Sequence, residues 1–397
     1  MIFIFFQKNK MQFSNEQSYA YDLYMKGHNV FLTGPGGTGK SKWIQTVCKS
    51  KPRIQVCAMT GCAAILLECN ATTVHSWAGI GLGDASKAIK SKFARDRWTT
   101  TDILIIDEIS MMSDTLFELL DTVGKTIRKS SLPFGGIQLL FCGDFYQLPP
   151  VDAKFCFESP LWNKTFLHTV QLSILFRQKN EAYQSILHEI RKGTISPQSK
   201  ALLTARIKEG AGTRLVPTRS KATCINDKEY ATLSGPEITY TMKVSSKNKY
   251  DADYLKKNIR CDEVIKLKVG TKVMCIVNIN DSLCNGSQGV VVRMEDYPVI
   301  LFDSGEITIR PHCWTTDESS ISQLPLIYAW AITIHKAQGA TLQTAQIDLG
   351  NDVFECGQTY VALSRLTDIE GLFLTSLNVH KIKVNPKVVD FYAKIKI

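Results

Sequence analysis

The stretch Phe31-Leu32-Thr33-Gly34-Pro35-Gly36-Gly37-Thr38-Gly39-Lys40-Ser41 limits what this chain can fold into more than any other, because an apolar strand runs into a glycine-rich turn that ends in Lys-Ser and opens a helix. A turn of this kind is a phosphate-binding P-loop. Gly34, Gly36, Gly37 and Gly39 lack a Cβ, so the backbone can take left-handed conformations and curl its N–H groups inward as an anion nest. The positive end of the following helix adds to the attraction for a polyphosphate. Lys40 is expected to reach the β- and γ-phosphates of ATP and Ser41 to ligate Mg²⁺, with Pro35 and Thr38 completing the cradle. Val30 to Thr33 reads as the buried strand before the loop, and Lys42 to Cys48 as the start of the helix after it.

A P-loop hydrolyses nothing without a carboxylate partner, and Asp102-Ile103-Leu104-Ile105-Ile106-Asp107-Glu108 supplies two at the end of a second apolar strand. That places both acids at the carboxyl edge of the sheet, where ligands of parallel sheets bind. Asp107 is expected to hold the Mg²⁺ through water and Glu108 to orient or deprotonate the attacking water. Ser113 then caps a helix to about Lys129, and Ile137 to Cys142 forms a further strand that runs on into Gly143-Asp144-Phe145-Tyr146-Gln147-Leu148-Pro149-Pro150. Gln147 leaves this strand towards the same site. Upstream, Ser14 is a candidate cap for a helix over Ser18 to Lys26, with Gly27 as its stop. Gln17 taken alone is a surface glutamine, but its place just before the P-loop strand offers its amide to an adenine. Downstream, Ile54 to Met59 reads as another buried strand and Thr60-Gly61-Cys62-Ala63-Ala64 as the opening of a helix. Alternation of short apolar strands with helices marks a parallel sheet covered on both faces.

Composition narrows the class. A chain of 397 residues exceeds one ordinary core and suits roughly two to four compact domains. No run approaches the ~20 apolar residues of a membrane helix, and Met1 to Phe6 is too short, and lacks the basic start, for a signal peptide. An intracellular location is expected, nuclear or cytoplasmic and not secreted, with no membrane partner. None of the 12 cysteines is spaced Cys-x-x-Cys, and Cys57, Cys142 and Cys275 sit in apolar segments, as reduced core thiols do. His312-Cys313 has no second pair at ligand spacing. The net charge of +10 permits a polyanionic partner without requiring one.

Two stretches interrupt the strand-helix alternation. Gly81 to Thr101 is polar and carries Lys87, Lys90, Lys92, Arg95 and Arg97 on a helix, which reads as a small excursion with a solvated basic face. From Gly235 to about Gln323 the pattern becomes short β segments, with Asn285-Gly286 as a hairpin signal between Gly270 to Val277 and Gly289 to Met294. Between them lies a new strand-helix region from Val170, including a helix over Glu181 to Lys192 and the strand Arg214 to Thr218. Alternation returns from Leu324 to a basic C-terminal helix.

Several ordered segments then carry a specific likeness. They are Gly34 to Ser41, His75-Ser76-Trp77-Ala78-Gly79, Ile106-Asp107-Glu108-Ile109-Ser110-Met111, Gly143 to Pro150, Leu175-Phe176-Arg177-Gln178, Ile334-His335-Lys336-Ala337-Gln338-Gly339 and Tyr360-Val361-Ala362-Leu363-Ser364-Arg365. In them the chain resembles the petite integration frequency family of DNA helicases, in the 5′-to-3′ branch of superfamily 1, from Gln17 to about Leu374. Met59 stands where the family often has Pro, and Ala337 where it often has Ser, which removes one hydroxyl.

The resemblance implies two RecA-like parallel-sheet domains. The first spans 11–168, with a small wedge insertion at about 76–101. The second spans 169–234 and 324–397, and an SH3-like β-barrel is inserted at 235–323. It also implies that Arg177 and Arg365 join the ATP site from the second domain and that Thr60, Gly61, His75, His335 and Lys336 contact DNA. The expected activity is ATP-driven translocation on single-stranded DNA with unwinding at single-strand/duplex junctions, by a monomer, in replication, repair or recombination. A phage or RecD-like superfamily 1 helicase is the nearer alternative, set aside on the Asp144 to Pro150 and His75-Ser76-Trp77 stretches. A P-loop ATPase without unwinding activity leaves the second sheet domain, Gln147 and Arg365 unexplained. A non-catalytic DNA-binding scaffold has no need of Lys40 and Glu108, and both are present.

Overall fold

Two parallel sheets organise the chain, and the computed structural model describes residues 13–395 except 68, 82, 211, 260, 278, 280–282, 284–286 and 316–318. The first sheet contains β1 (Val30–Thr33), β2 (Ile54–Ala58), β3 (Thr72–Thr73), β4 (Ile103–Asp107), β5 (Gln138–Gly143) and β6 (His168–Gln171), in the order β3-β2-β4-β5-β1-β6. Every neighbouring pair runs parallel. Because strand side chains alternate faces, the apolar runs fill two cores at once. Phe31, Leu104, Ile106, Leu139 and Phe141 enter one, and Leu32, Ile103, Ile105, Leu140 and Cys142 the other.

The helix before β1 starts earlier than expected, at Asn15–Met25, because Ser14 and Gln17 form a reciprocal capping box. The P-loop helix is Lys40–Val47, opened by Gly39 at φ 82°. The second sheet is made of Ala331–Thr333, Thr213–Val216, Ala345–Leu349 and Leu372–Leu377, in that order and all parallel. Between its first strand in the chain and the others lie antiparallel sheets. The largest has five strands and runs Gly305–Thr308, Pro298–Phe302, Gln288–Met294, Lys272–Cys275, Leu326–Tyr328.

The boundaries drawn from sequence need correcting in three places. A division at 168/169 cuts β6, whose Thr169, Val170 and Gln171 pair with Phe31, Leu32 and Thr33, so β6 is the last strand of the first sheet. A division at 323/324 leaves out Leu326–Tyr328, which pairs with Lys272–Cys275 and completes the five-stranded sheet. The C-terminal helix Pro386–Lys394 is assigned by sequence to the second domain, yet it docks on the first. Val388 is buried in the core under β1, and the Phe391 ring meets Phe31, Phe145, Phe157 and Trp162. Helix amphipathicity shows that a face must be covered but not by which neighbour.

The basic excursion is two helices, Ala85–Lys90 and Lys92–Thr100, broken at Ser91. Its face is not wholly solvated. Ala88, Ala94 and Trp98 are buried, Trp98 Nε1 donates to Ala78 O at 3.0 Å, and Arg97 Nε donates to Trp77 O at 2.8 Å. The Asn285-Gly286 hairpin signal and the Met1 to Phe6 leader lie outside the described residues.

One buried ion pair ties the two halves together. Arg191, on the helix Glu181–Arg191, grips Asp144 after β5 with both arms of its fork, Nε to Oδ2 at 2.9 Å and Nη2 to Oδ1 at 2.8 Å. Arg191 lies over the Tyr146 ring, which is itself stacked on Tyr392. Removing one partner of such a pair strands the other charge. Arg191→Met is therefore expected to cost about 3–5 kcal/mol in urea unfolding, and the double change Asp144→Leu, Arg191→Met to recover much of it; equal losses in the two variants would refute the stranded Asp144 charge as the cause.

Candidate functional site

The P-loop lies at the carboxyl edge of the first sheet, after β1 and beside the ends of β4 and β5. Gly34, Gly37 and Gly39 adopt φ of 148°, 95° and 82°, positions that favour glycine, whereas Gly36, expected among them, does not have a positive φ. Lys40 Nζ donates back to the Gly34 and Pro35 carbonyls at 2.6 and 3.0 Å. Burial lowers its pKa, opposed by Asp144, Glu108 and Asp107. Ser41 Oγ donates to Asp107 Oδ2 at 3.4 Å, which puts the hydroxyl and the carboxylate on one small volume. Burial first, and the Glu108 carboxylate next, push the Asp107 carboxyl up to about 7.

Glu108 follows in a left-handed turn at φ 55°, and its backbone N–H donates to Asp107 Oδ1 at 2.8 Å. This turn aims the Glu108 side chain out of the sheet edge and across the cleft. There Gln338 Nε2 of the second half donates to Glu108 Oε2 at 3.1 Å. Gln147 is buried, with an amide oxygen that has no partner, as have Gln178 and Gln338. Buried polar atoms without partners are rare. Gln178 Oε1 would lie 2.9 Å from a Cβ at Gly37 and Gln338 meets Glu108, so two of these glutamines border the loop and its acids, which fits a site completed by a polar ligand.

The second half closes over the loop. Gly36 N–H donates to the Tyr360 hydroxyl at 2.9 Å, and a Cβ at Gly36 would lie 3.5 Å from Arg365 Nη2. Arg365 is only 2% exposed, and its hydrogen bonds go to Val361 O, Ala340 O and Ser364 Oγ. Arg177 Nη1 donates to Ser364 O at 2.9 Å, and the Arg177 Cβ would stand 2.8 Å from one placed at Gly37. Burial, then repulsion from Arg365, draws the Arg177 guanidinium down to about 10, so it stays charged at neutral pH. Both arginines thus face the loop with carbonyl and hydroxyl partners and no carboxylate among these bonds, an arrangement suited to a phosphate.

Gln17 is buried rather than a surface residue, with Nε2 donating to Thr38 O at 3.2 Å and Oε1 accepting from Ser14 N–H at 3.0 Å. A Cβ at Gly39 would lie 2.8 Å from Gln17 Nε2 and 3.5 Å from the ring of Phe176, which is 53% exposed. Gln17 and Phe176 therefore flank the outer end of the loop. The loop's donors, the Ser41–Asp107 pair and the two arginines fit a magnesium nucleotide. Among the described residues no cluster of three or more His, Cys, Asp or Glu exists that could hold a metal by itself.

The other residues singled out from sequence gather away from the phosphate nest. Thr60 follows β2 and caps the helix Gly61–Leu66, accepting from Ala63 N–H at 3.2 Å. His75 follows β3, the edge neighbour of β2, and is half-buried. His335 and Lys336 follow Ala331–Thr333 on the second sheet. All five stand at carboxyl ends of strands, Thr60, Gly61 and His75 on the first sheet and His335 and Lys336 on the second. Burial lowers the pKa of both histidines.

Sequence reading left out Gln338, Tyr360 and Arg191. Gln338 and Tyr360 sit inside stretches already marked, and their part in the cleft is fixed only by domain closure. Arg191 had no signal, since nothing in a helix sequence names an aspartate on another domain. Gln338→Leu keeps the bulk but removes the donor to Glu108. Nucleotide turnover is expected to fall by up to roughly a hundredfold, as for a misplaced reacting group, with nucleotide affinity little changed; unaltered turnover would exclude a positioning role.

Residues 12–201 match the family model of PIF1-like helicase, and residues 252–294 match that of the DNA helicase Pif1 2B domain. The ATP-dependent DNA helicase PIF1 of Emericella nidulans is 35% identical over 93% of this chain and 61% of its own length. The chain thus spans about three fifths of that relative. The crystal structure of Pif1 helicase from Candida albicans superposes with a TM-score of 0.86 at 34% identity, covering 97% of this chain and 99% of that one. Bacteroides Pif1 bound to ssDNA gives 0.77 at 29% identity, with 97% of each chain covered. With the P-loop, both acids and both arginines meeting in one cleft between RecA-like sheets, the chain belongs to the PIF1-like helicases.

Proposed function

We propose that this chain is an ATP-dependent DNA helicase that moves 5′-to-3′ along single-stranded DNA and opens duplex at a single-strand/duplex junction, in replication, repair or recombination. The observation that carries the proposal is the closure of the P-loop by the second half, with Tyr360 on the Gly36 amide and Arg365 beside it. An ATPase confined to one domain would have no use for that cleft. The likeness to a Pif1 solved with ssDNA supports the nucleic-acid half.

In this reading the loop amides and Lys40 hold the ATP phosphates, and Gln17 holds the adenine with Phe176 beside it. Ser41 and Asp107 would hold a Mg²⁺, which would supply neutralisation of the charge developing on the phosphates. Glu108, steadied by Gln338, takes the proton of the attacking water, and Gln147 orients that water. Arg177 and Arg365 grip the γ-phosphate from the far side, since a guanidinium stays charged and its planar fork matches phosphate oxygens. Loss of the γ-phosphate removes what the arginines hold, so the halves part and the strand advances. Thr60, Gly61, His75, His335 and Lys336 provide the DNA floor. The five-stranded insertion is read as SH3-like and the 76–101 helices as the wedge. Both sides of the cleft come from one chain, so a monomer is the proposed unit on DNA, inside the cell in nucleus or cytoplasm.

Replacement by residue separates the steps. Glu108→Gln keeps the loop and Asp107, so nucleotide binding persists while turnover falls by roughly a hundredfold or more; Lys40→Ala weakens binding itself. Arg365→Ala is expected to cut DNA-stimulated turnover by roughly a thousandfold, within the range of arginine fingers, and Arg365→Lys to restore little. Steady-state ATPase and strand separation on substrates with a single 5′ or 3′ tail check these values. Wild-type turnover in Arg177→Ala and Arg365→Ala together, or unwinding only from a 3′ tail, would overturn the proposal.

A further inference from the structure

Tyr392 belongs to the last helix, Pro386–Lys394, yet its hydroxyl sits between two segments of the nucleotide cleft. It lies 2.6 Å from Thr33 Oγ1, accepts from Phe145 N–H at 3.2 Å and has Asp144 Oδ1 at 3.5 Å. A phenol offers one proton and two lone pairs. Phe145 takes one lone pair, which leaves the proton and the other lone pair for Asp144 and Thr33. Each partner leads to a group that the ATP site needs. Thr33 is wholly buried at the end of β1, and the next residue, Gly34, gives its carbonyl to Lys40 Nζ at 2.6 Å. Asp144 and Phe145 open the turn that reaches Gln147, in which Gln147 N–H donates to Asp144 O at 2.9 Å and Tyr146 N–H to Asp144 Oδ1 at 3.2 Å. Among the described residues the Gln147 amide oxygen has no hydrogen-bond partner, so its place depends on the backbone that carries it.

The sheet itself does not fix that backbone. β1 and β5 pair as far as Thr33 and Gly143, and Asp144 to Gln147 run on beyond the ladder. Besides the Arg191–Asp144 pair, two contacts hold the turn. Gly357 of the second half, at φ 75°, packs so closely on it that a Cβ there would lie 2.5 Å from Tyr146 O and 2.7 Å from Gln147 O. The Tyr392 ring stacks on Tyr146, with centroids 4.8 Å apart and planes within 14°. Gly357 N–H also donates to Lys383 O at 3.0 Å, two residues before the Asn385 cap of the Tyr392 helix. The chain therefore leaves the second half at Gly357 and lands on the first beside the same turn, where Val388 and Phe391 join the core.

We propose that the Tyr392 hydroxyl is a positioning group for ATP hydrolysis, which spaces the entry of the P-loop from the Gln147 turn so that Gln147 meets the attacking water while the loop holds the γ-phosphate. The inference rests on the helicase reading above, in which Gln147 orients that water. Tyr392 touches neither water nor nucleotide and acts through Gln147. Its three oxygen and nitrogen partners all lie in the first half, so the brace stays with the turn when the halves part, whereas Gly357 leaves with the second half. Small errors of placement at a reacting centre are costly in rate, and a hydrogen-bonded node between two loops is a means of preventing them.

The test is steady-state ATP turnover of the full chain with an oligothymidylate, for Tyr392→Phe, Gln147→Ala and the double change. Tyr392→Phe keeps the ring on Tyr146 and removes only the hydroxyl. Its kcat is expected to fall roughly tenfold or more, with KM for ATP and the affinity for a fluorescent ADP little changed. In the Gln147→Ala background the same change should alter kcat by no more than about twofold, because the group it positions is gone. A tyrosine that only anchored the helix would slow both backgrounds alike. Thr33→Val, which removes the partner oxygen, should lower kcat as well and add little to Tyr392→Phe. Equal falls in the two Gln147 backgrounds, or a kcat for Tyr392→Phe within about twofold of native, would overturn the brace. Native turnover in Gln147→Ala would instead overturn the role of Gln147 in the helicase reading, and the brace with it, so the two failures are told apart.

Discussion

Arg365, buried, and Arg177, half-buried, stand against the P-loop with carbonyl and hydroxyl groups as their hydrogen-bond partners, and the closure of the two halves depends on this contact. A guanidinium taken out of water without a counter-charge is costly unless carbonyls or an anion satisfy it. Here carbonyls of the second half do so in part, and the groups left open face the nest of the first. The groups that hold the cleft shut are thus those a phosphate would engage in the proposed function.

Two further contacts keep the halves in register. The Arg191–Asp144 pair joins the helix Glu181–Arg191 to the segment after β5. Tyr392, from the C-terminal helix, reaches the same point, with its hydroxyl 2.6 Å from Thr33 Oγ1 and accepting from Phe145 N–H at 3.2 Å. Thr33 is the last residue of β1, immediately before the P-loop. The C-terminal helix is thus a strap that returns from the second half to brace the strand on which the loop is mounted. Movement of one sheet against the other has to work through these joints rather than through a loose linker.

Function follows from both sheets presenting their carboxyl edges to the cleft. In a parallel sheet every strand ends on the same side, so loops from distant parts of the chain converge there. Glu108 after β4 and Gln147 after β5 follow neighbouring strands for that reason, as do Thr60 after β2 and His75 after β3. The proposed nucleotide residues of the first half follow β1, β4 and β5, and the proposed DNA residues follow β2, β3 and Ala331–Thr333. Gln338, which donates to Glu108, is a short link between the two sheets.

Much of this was legible in the residues. The P-loop, the strand ending in Asp107-Glu108 and the two-sheet architecture follow from local rules: glycine at left-handed positions, apolar runs of strand length, acids at strand ends. Local rules also set the caps at Ser14 and Ser113. What sequence misjudged or left out is non-local. The membership of β6 and of Leu326–Tyr328 depends on hydrogen bonds to strands far away in the chain, and a four-residue apolar run does not say which sheet it joins. The docking of Phe391 and Tyr392 on the first domain, the Arg191–Asp144 pair, and the reach of Gln338 to Glu108 and of Tyr360 to the P-loop arise only when the two halves close. Sequence by itself determined the chemistry available at each strand end; the tertiary structure decided which ends meet, because that choice belongs to packing between surfaces that no short stretch of residues encodes.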